Sequence, residues 1–196
     1  KILISIAALF ALFLIYLIPT DNVNKLKSVR SEVIYTNYSI DTNQVYLLDS
    51  HNMVSLTSIM VGSDDIESRA KELILALISG SSKEDQIPNG FKSVIPSDTR
   101  ILSLKIDNGI VKVDFSSELL NIDESLEEKM VSAIVYTLTS LDDIDGVIIY
   151  VDGKILNKLP KSNINLPSTL DRSFGINKEY DVTSSKDIVG VTTYFV

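Results

Sequence analysis

Residues 2–18 read ILISIAALFALFLIYLI, a run without a single charge. As a helix it would be about 26 Å long, close to the roughly 30 Å hydrocarbon core of a bilayer. Lys1 stands before it, and Pro19, Thr20, Asp21 and Asn22 end it. A cleavable signal peptide is the alternative reading, and it needs a shorter apolar core followed by small residues at a cleavage site. Tyr16, Leu17, Ile18, Pro19 and Thr20 make a poor site, and Ala7 and Ala8 lie inside the run. The expectation is an uncleaved signal anchor over residues 1–19, touching the membrane through residues 2–18. With the short end inside, everything from Asp21 onward is extracytoplasmic and the protein is single-pass. The chain opens on Lys1 and not on Met, as expected for a piece of a longer protein.

The remainder has the composition of an ordinary globular domain, 45% hydrophobic and 22% charged over the whole chain. Eighteen basic residues against 26 acidic ones give a formal charge of −8, and no basic run relieves it. Phosphate backbones are repelled, so no nucleic-acid partner is expected. The chain has no cysteine, which removes disulfides, thiolate metal sites, cysteine nucleophiles and a lipid-modified cysteine together. Its one histidine, His51, cannot build a multi-imidazole zinc site and falls in a turn, where an exposed loop role is expected.

Residues 20–43 are polar and aperiodic, and read as a spacer. Gln44 to Leu48 and then Met53 to Val61 read as two strands, with Asp49, Ser50, His51 and Asn52 as turn residues between them. Ser63, Asp64 and Asp65 supply capping groups for a helix whose inner stripe is Ile66, Ala70, Leu73, Ile74, Leu77 and Ile78, with Gly80 as its left-handed stop. Residues 81–99, with Pro88 and Pro96, read as a long loop. Leu102, Leu104 and Ile106 then alternate with Ser103 and Lys105. After the Asn108-Gly109 pair, Val111, Val113 and Phe115 alternate with Lys112 and Asp114. This is a hairpin on a type I′ turn with one buried face. A second helix is expected from about Asp123 to Leu141, with Leu126, Met130, Ile134, Thr137, Leu138 and Leu141 inward and capping-box spacing between Ser125 and Glu128. A buried strand, Val147 to Val151, closes the order. Two helices on one face of a mixed sheet, an α+β two-layer sandwich, is the fold this order predicts.

Four segments resemble the motifs of GerM domains in the correct order. They are residues 95–102 (IPSDTRIL), 108–116 (NGIVKVDFS), 136–139 (YTLT) and 147–153 (VIIYVDG). Asp98 departs from the glycine usual in the first, and Leu77-Ile78-Ser79-Gly80-Ser81 lacks the proline usual after the first helix. The resemblance implies a GerM domain over 44–160, a fold similar to the ring-building motifs of secretion-type complexes, and a role in assembling a transenvelope complex during sporulation or spore germination. It implies no catalytic residue and no cofactor. Residues 161–188 are then a linker. Residues 189–196, ending Val191-Thr192-Thr193-Tyr194-Phe195-Val196, look like the opening strand of a second such domain, with a terminal strand of the same domain as the alternative.

Asp142, Asp143 and Asp145 before Gly146 faintly suggest a calcium loop. Counting from Asp143 puts Lys154 where the bidentate glutamate belongs, and a strand follows where a helix is required, so a solvated turn is expected and no metal site is assigned. No serine sits in a nucleophile elbow, no glycine-rich phosphate loop occurs, and no carboxylate pair is marked for hydrolysis. The expectation is a non-catalytic assembly module with envelope protein partners, or copies of itself, as its contacts. The alternative is a cell-wall or small-ligand binding domain, with Tyr35, Tyr38, Phe91 and Tyr150 as candidate ring platforms.

Overall fold

A computed structural model describes residues 42–178. The expected anchor, nearly all of the spacer, the end of the expected linker and the expected second-domain strand lie outside these residues. Among the described residues no helix is long and apolar enough to cross a membrane.

Two short-range signals build the first unit. β1 (Thr42–Leu48) and β2 (Val54–Met60) pair antiparallel. Asp49 organises their turn: its carboxylate accepts from the amides of His51 (2.8 Å) and Met53 (3.0 Å) and from the Ser55 hydroxyl (3.0 Å), and Asn52 takes φ 58°. α1 (Ile66–Leu77) starts at Asp65, whose carboxylate accepts from the Ser68 amide at 2.9 Å. Ala70, Leu73, Ile74 and Leu77 are buried, as the stripe requires. Gly80 is left-handed as expected (φ 70°), but the helix has already ended. Ile78 turns extended because its neighbours bond to Ile95: Ile95 N–H donates to Leu77 O (2.8 Å) and Ser79 N–H to Ile95 O (3.0 Å).

β3 (Ile101–Asp107) and β4 (Ile110–Phe115) form the expected hairpin, with Asn108 and Gly109 at φ 49° and 76°. The expected inner face needs one correction. A bulge between Ile101 and Ser103 shifts the register, Ile101 takes the place opposite Phe115, and Leu102 turns outward at 49% exposure.

α2 (Glu124–Leu138) crosses over to β5 (Gly146–Val151), which lies parallel to β4. The capping box does not form. Asp123 is the last extended residue, so Ser125 already sits inside the first turn, and Glu128 pairs with Lys178 at 2.7 Å. The helix stops at Leu138, and Leu141 is buried from the turn that follows. β6 (Lys154–Ile155) completes a four-stranded mixed sheet in the order β3-β4-β5-β6.

The expected single sheet is in fact two, since β1-β2 is a separate pair. Its β1 edge is taken by α2 and the turn after it instead: Tyr46 N–H donates to Thr137 Oγ1 (2.9 Å) and the Ser140 hydroxyl to Gln44 O (3.2 Å). α2 packs on α1, β1, β2 and β5, which is why Met130 to Val135 are buried almost all the way round. Val111, Val113, Phe115, Val147 and Ile149 face the same core.

The domain also extends past 160. Residues 161–178, expected as linker, pack against it with Leu166 and Leu170 buried. Val147 and Leu170 exchange two backbone bonds of 2.8 Å, Ser132 Oγ donates to Gly175 O (3.0 Å) and Tyr136 Oη to Arg172 O (3.0 Å).

Candidate functional site

The uncovered face of the four-stranded sheet carries the side chains that the hairpin alternation leaves wet. Ser103, Lys105, Lys112, Asp114, Tyr150 and Gly153 line a shallow, open groove of about 320 Å³ there. Lys105 and Lys112 stand directly opposite each other across the hairpin, and Asp114 stands beside Tyr150 across the parallel pair. Like charges placed opposite oppose pairing. Asp107 offsets part of this by accepting from Lys112 Nζ at 2.9 Å, and that bond raises the Lys112 pKa. Asp114 is turned aside, accepting from the Gly153 amide at 3.1 Å. Lys105 makes no such pair among the described residues, so the same groove holds an unpaired ammonium and, across β4 from it, a tyrosine ring.

The other expected platforms do not gather there. Phe91 is half-buried and packed on the core, and Tyr35 and Tyr38 lie outside the described residues. His51 is exposed in the β1-β2 turn, 3.4 Å from Ser50 Oγ. The Asp142, Asp143 and Asp145 turn is tied to the hairpin by the Asp145 amide, which donates to Gly109 O at 2.8 Å. Among the described residues no three His, Asp or Glu side chains are placed to hold a metal ion.

Residues 44–157 match the model of the Germane family, described as sporulation and spore germination. The chain belongs to the Germane family. It is 30% identical over 163 residues to the spore germination protein GerM of Bacillus subtilis (strain 168), a match covering 82% of this chain and 44% of that one. The chain thus spans less than half the length of that curated relative. Among solved structures, the tandem GerMN domains of the sporulation protein GerM from Bacillus subtilis match with a TM-score of 0.67 at 29% identity, over 74% of this chain and 51% of that one. The first GerMN domain of the same protein matches with a TM-score of 0.63 at 29% identity, over 67% of this chain and 98% of that one. These likenesses agree with the α+β arrangement of two helices and mixed sheets.

In this Germane domain the Lys105–Lys112 pairing is a feature that alternation alone does not give. Alternation says only that both are wet. The turn length could have supplied the rest, because a two-residue turn at Asn108-Gly109 fixes which residues stand opposite. The position of Gly153 next to Asp114 had no sequence signal, since it depends on the parallel register set by the α2 crossover.

Proposed function

We propose that this chain is a membrane-anchored, extracytoplasmic assembly module of sporulation or spore germination, whose Germane domain packs against envelope proteins or further copies of itself and turns over no substrate. The observation that carries this is the family match over 44–157, together with the identity to a spore germination protein. The uncharged run at residues 2–18 supports the anchor. Deleting the gene in the source organism tests the role, with heat-resistant spore counts and germination rates as readouts. A fall in either is expected, and normal values for both would remove the proposal. Protease treatment of intact protoplasts tests the placement: the Germane domain should be cleaved from outside.

A second reading, binding of a wall glycan, is favoured by one observation: Tyr150 lies in the groove with Lys105 and Lys112. A ring face flanked by ammonium groups suits a sugar bearing carboxylate or phosphate. Sedimentation with purified peptidoglycan decides between the two. Retention that is lost in Tyr150→Ala supports binding, and no retention leaves assembly alone.

A further inference from the structure

At the end of α1 the helix carbonyls are already taken. Leu75 O accepts from the Ser81 hydroxyl (2.5 Å) and the Ile78 amide (3.1 Å), and Leu77 O from the amides of Val94 (3.1 Å) and Ile95 (2.8 Å). The segment after Pro96 is fixed as firmly. Thr99 N–H donates to Pro96 O (3.1 Å). Arg100 is locked to Ser116: its amide donates to Ser116 Oγ (3.0 Å), and its carbonyl accepts from the Ser116 amide (3.0 Å). One group is left over. Thr99 is only 5% exposed, and its Oγ1 is buried with no hydrogen-bond partner among the described residues. Such an arrangement costs stability unless something else meets the hydroxyl.

Thr99 lines a cleft of about 310 Å³ between α1 and residues 97–101. Leu75, Ile78 and Ile101 give the cleft an apolar side, and Ser82 and Ser97 add hydroxyls. Lys71 and Arg100 bring two cations to it, and no carboxylate lines it, in a chain of formal charge −8. The sheet-face groove, by contrast, holds Asp114 beside its lysines. Lys71 makes no ion pair among the described residues. Glu118 stands 3.9 Å from the Arg100 guanidinium, past hydrogen-bond length.

We propose that this cleft binds a small organic carboxylate, its oxygens held by Lys71 and Arg100 with the Thr99 hydroxyl turned to donate to it, and its apolar body laid on Leu75, Ile78 and Ile101. A carboxylate accepts several hydrogen bonds and donates none, which suits two cations and a hydroxyl with a proton to give. The guanidinium fork of Arg100 matches its planar geometry. A monoanion fits better than a phosphate dianion, because the cleft lies along the C-terminal half of α1, where the helix dipole is negative. The volume is at the small end of ligand sites and limits the body to a few apolar carbons. Free carboxylic acids and the C-terminal residue of a peptide share this chemistry.

Titrating the full chain in detergent micelles with N-acetyl-alanyl-alanine, followed by its amide NMR signals, tests this. Saturable shifts are expected at Ser97, Thr99 and Arg100, and the C-terminal amide of the same peptide should bind at least about tenfold more weakly. Propionate tells the two sources apart. Binding as tight as the dipeptide's points to a free acid and weaker binding to a chain end, and either agrees with a carboxylate site. Thr99→Val keeps the side-chain shape and removes the hydroxyl. It should bind the dipeptide at least about tenfold more weakly, while its urea midpoint equals or exceeds that of the unmodified chain. Lys71→Gln, at an exposed helix position, should weaken binding about threefold without moving the midpoint. Equal binding of the neutral amide, or inorganic phosphate held more tightly than either carboxylate, would overturn the proposal. So would shifts confined to the sheet-face groove, or full binding by Thr99→Val.

Discussion

Glu127 carries a carboxylate into the domain interior, at 1% exposure, where an unpartnered charge would be costly. It accepts from the amides of Lys161 (3.0 Å) and Ser162 (2.7 Å), and Lys161 Nζ in turn donates to Ile122 O. The side chain is a buried clamp on the returning chain. Glu127→Ala should destabilise by about 3 kcal/mol, because it leaves two amides without acceptors. Urea unfolding measures this, and a loss too small to detect would mean that water replaces the carboxylate. Glu72 acts nearer the surface. Lys83 Nζ at 2.5 Å, the Ser63 hydroxyl and the Gly62 amide at 3.3 Å hold its pKa down, the lysine bond most of all. A carboxyl depressed in the folded state adds stability above its unfolded pKa and loses it as the pH falls through the folded value. Glu72→Gln should therefore lose less melting temperature than the unmodified protein between neutral pH and about pH 3.

At the scale of elements, the β3-β4 hairpin separates local from distant causes. Gly109 is left-handed, and a Cβ there would meet Asp145 Oδ2 at 3.0 Å and Asp143 O at 3.1 Å. Gly109→Ala should cost about 2 kcal/mol, from backbone strain and from that contact. Leu102→Ser, on the outward side of the bulge, should shift stability by no more than about 0.5 kcal/mol. A larger loss in Leu102→Ser, seen as an earlier urea midpoint, would return Leu102 to the core. The Asn108-Gly109 turn and the α1 stripe were legible because they depend on neighbours in sequence. The bulge was not, since nothing near Leu102 announces that Ile101 will reach Phe115. The two-sheet split was hidden for a similar reason: Thr137 near the end of α2 and Ser140 in the turn after it close the β1 edge from about ninety residues away (separations of 91 and 96). At the groove, Tyr150 was visible as an aromatic, but its company of Lys105 and Lys112 is a matter of register.

For the molecule as a whole, residues 161–178 changed the reading most. Their polar composition looks like linker, and Leu166 and Leu170 recur with no useful period. What binds them is mostly backbone: Leu170 to Val147, Leu166 N–H to Asn157 O at 2.7 Å, and Gly175 O to Ser132. Leu170→Ala should destabilise the domain by about 3 kcal/mol, as deletion of a buried leucine does. Limited proteolysis gives a parallel check, since cleavage should be slow throughout 161–178. Rapid cutting there at native conditions would show the segment to be a true linker. The position of Asn177 has a mechanical consequence. The described chain enters at Thr42, opposite Met60, and leaves beside Val54, at the other end of the same two strands. Tension between the two exits would run along the strands and load their cross-links in shear, all at once. A hairpin held that way resists far more than one opened from its tip.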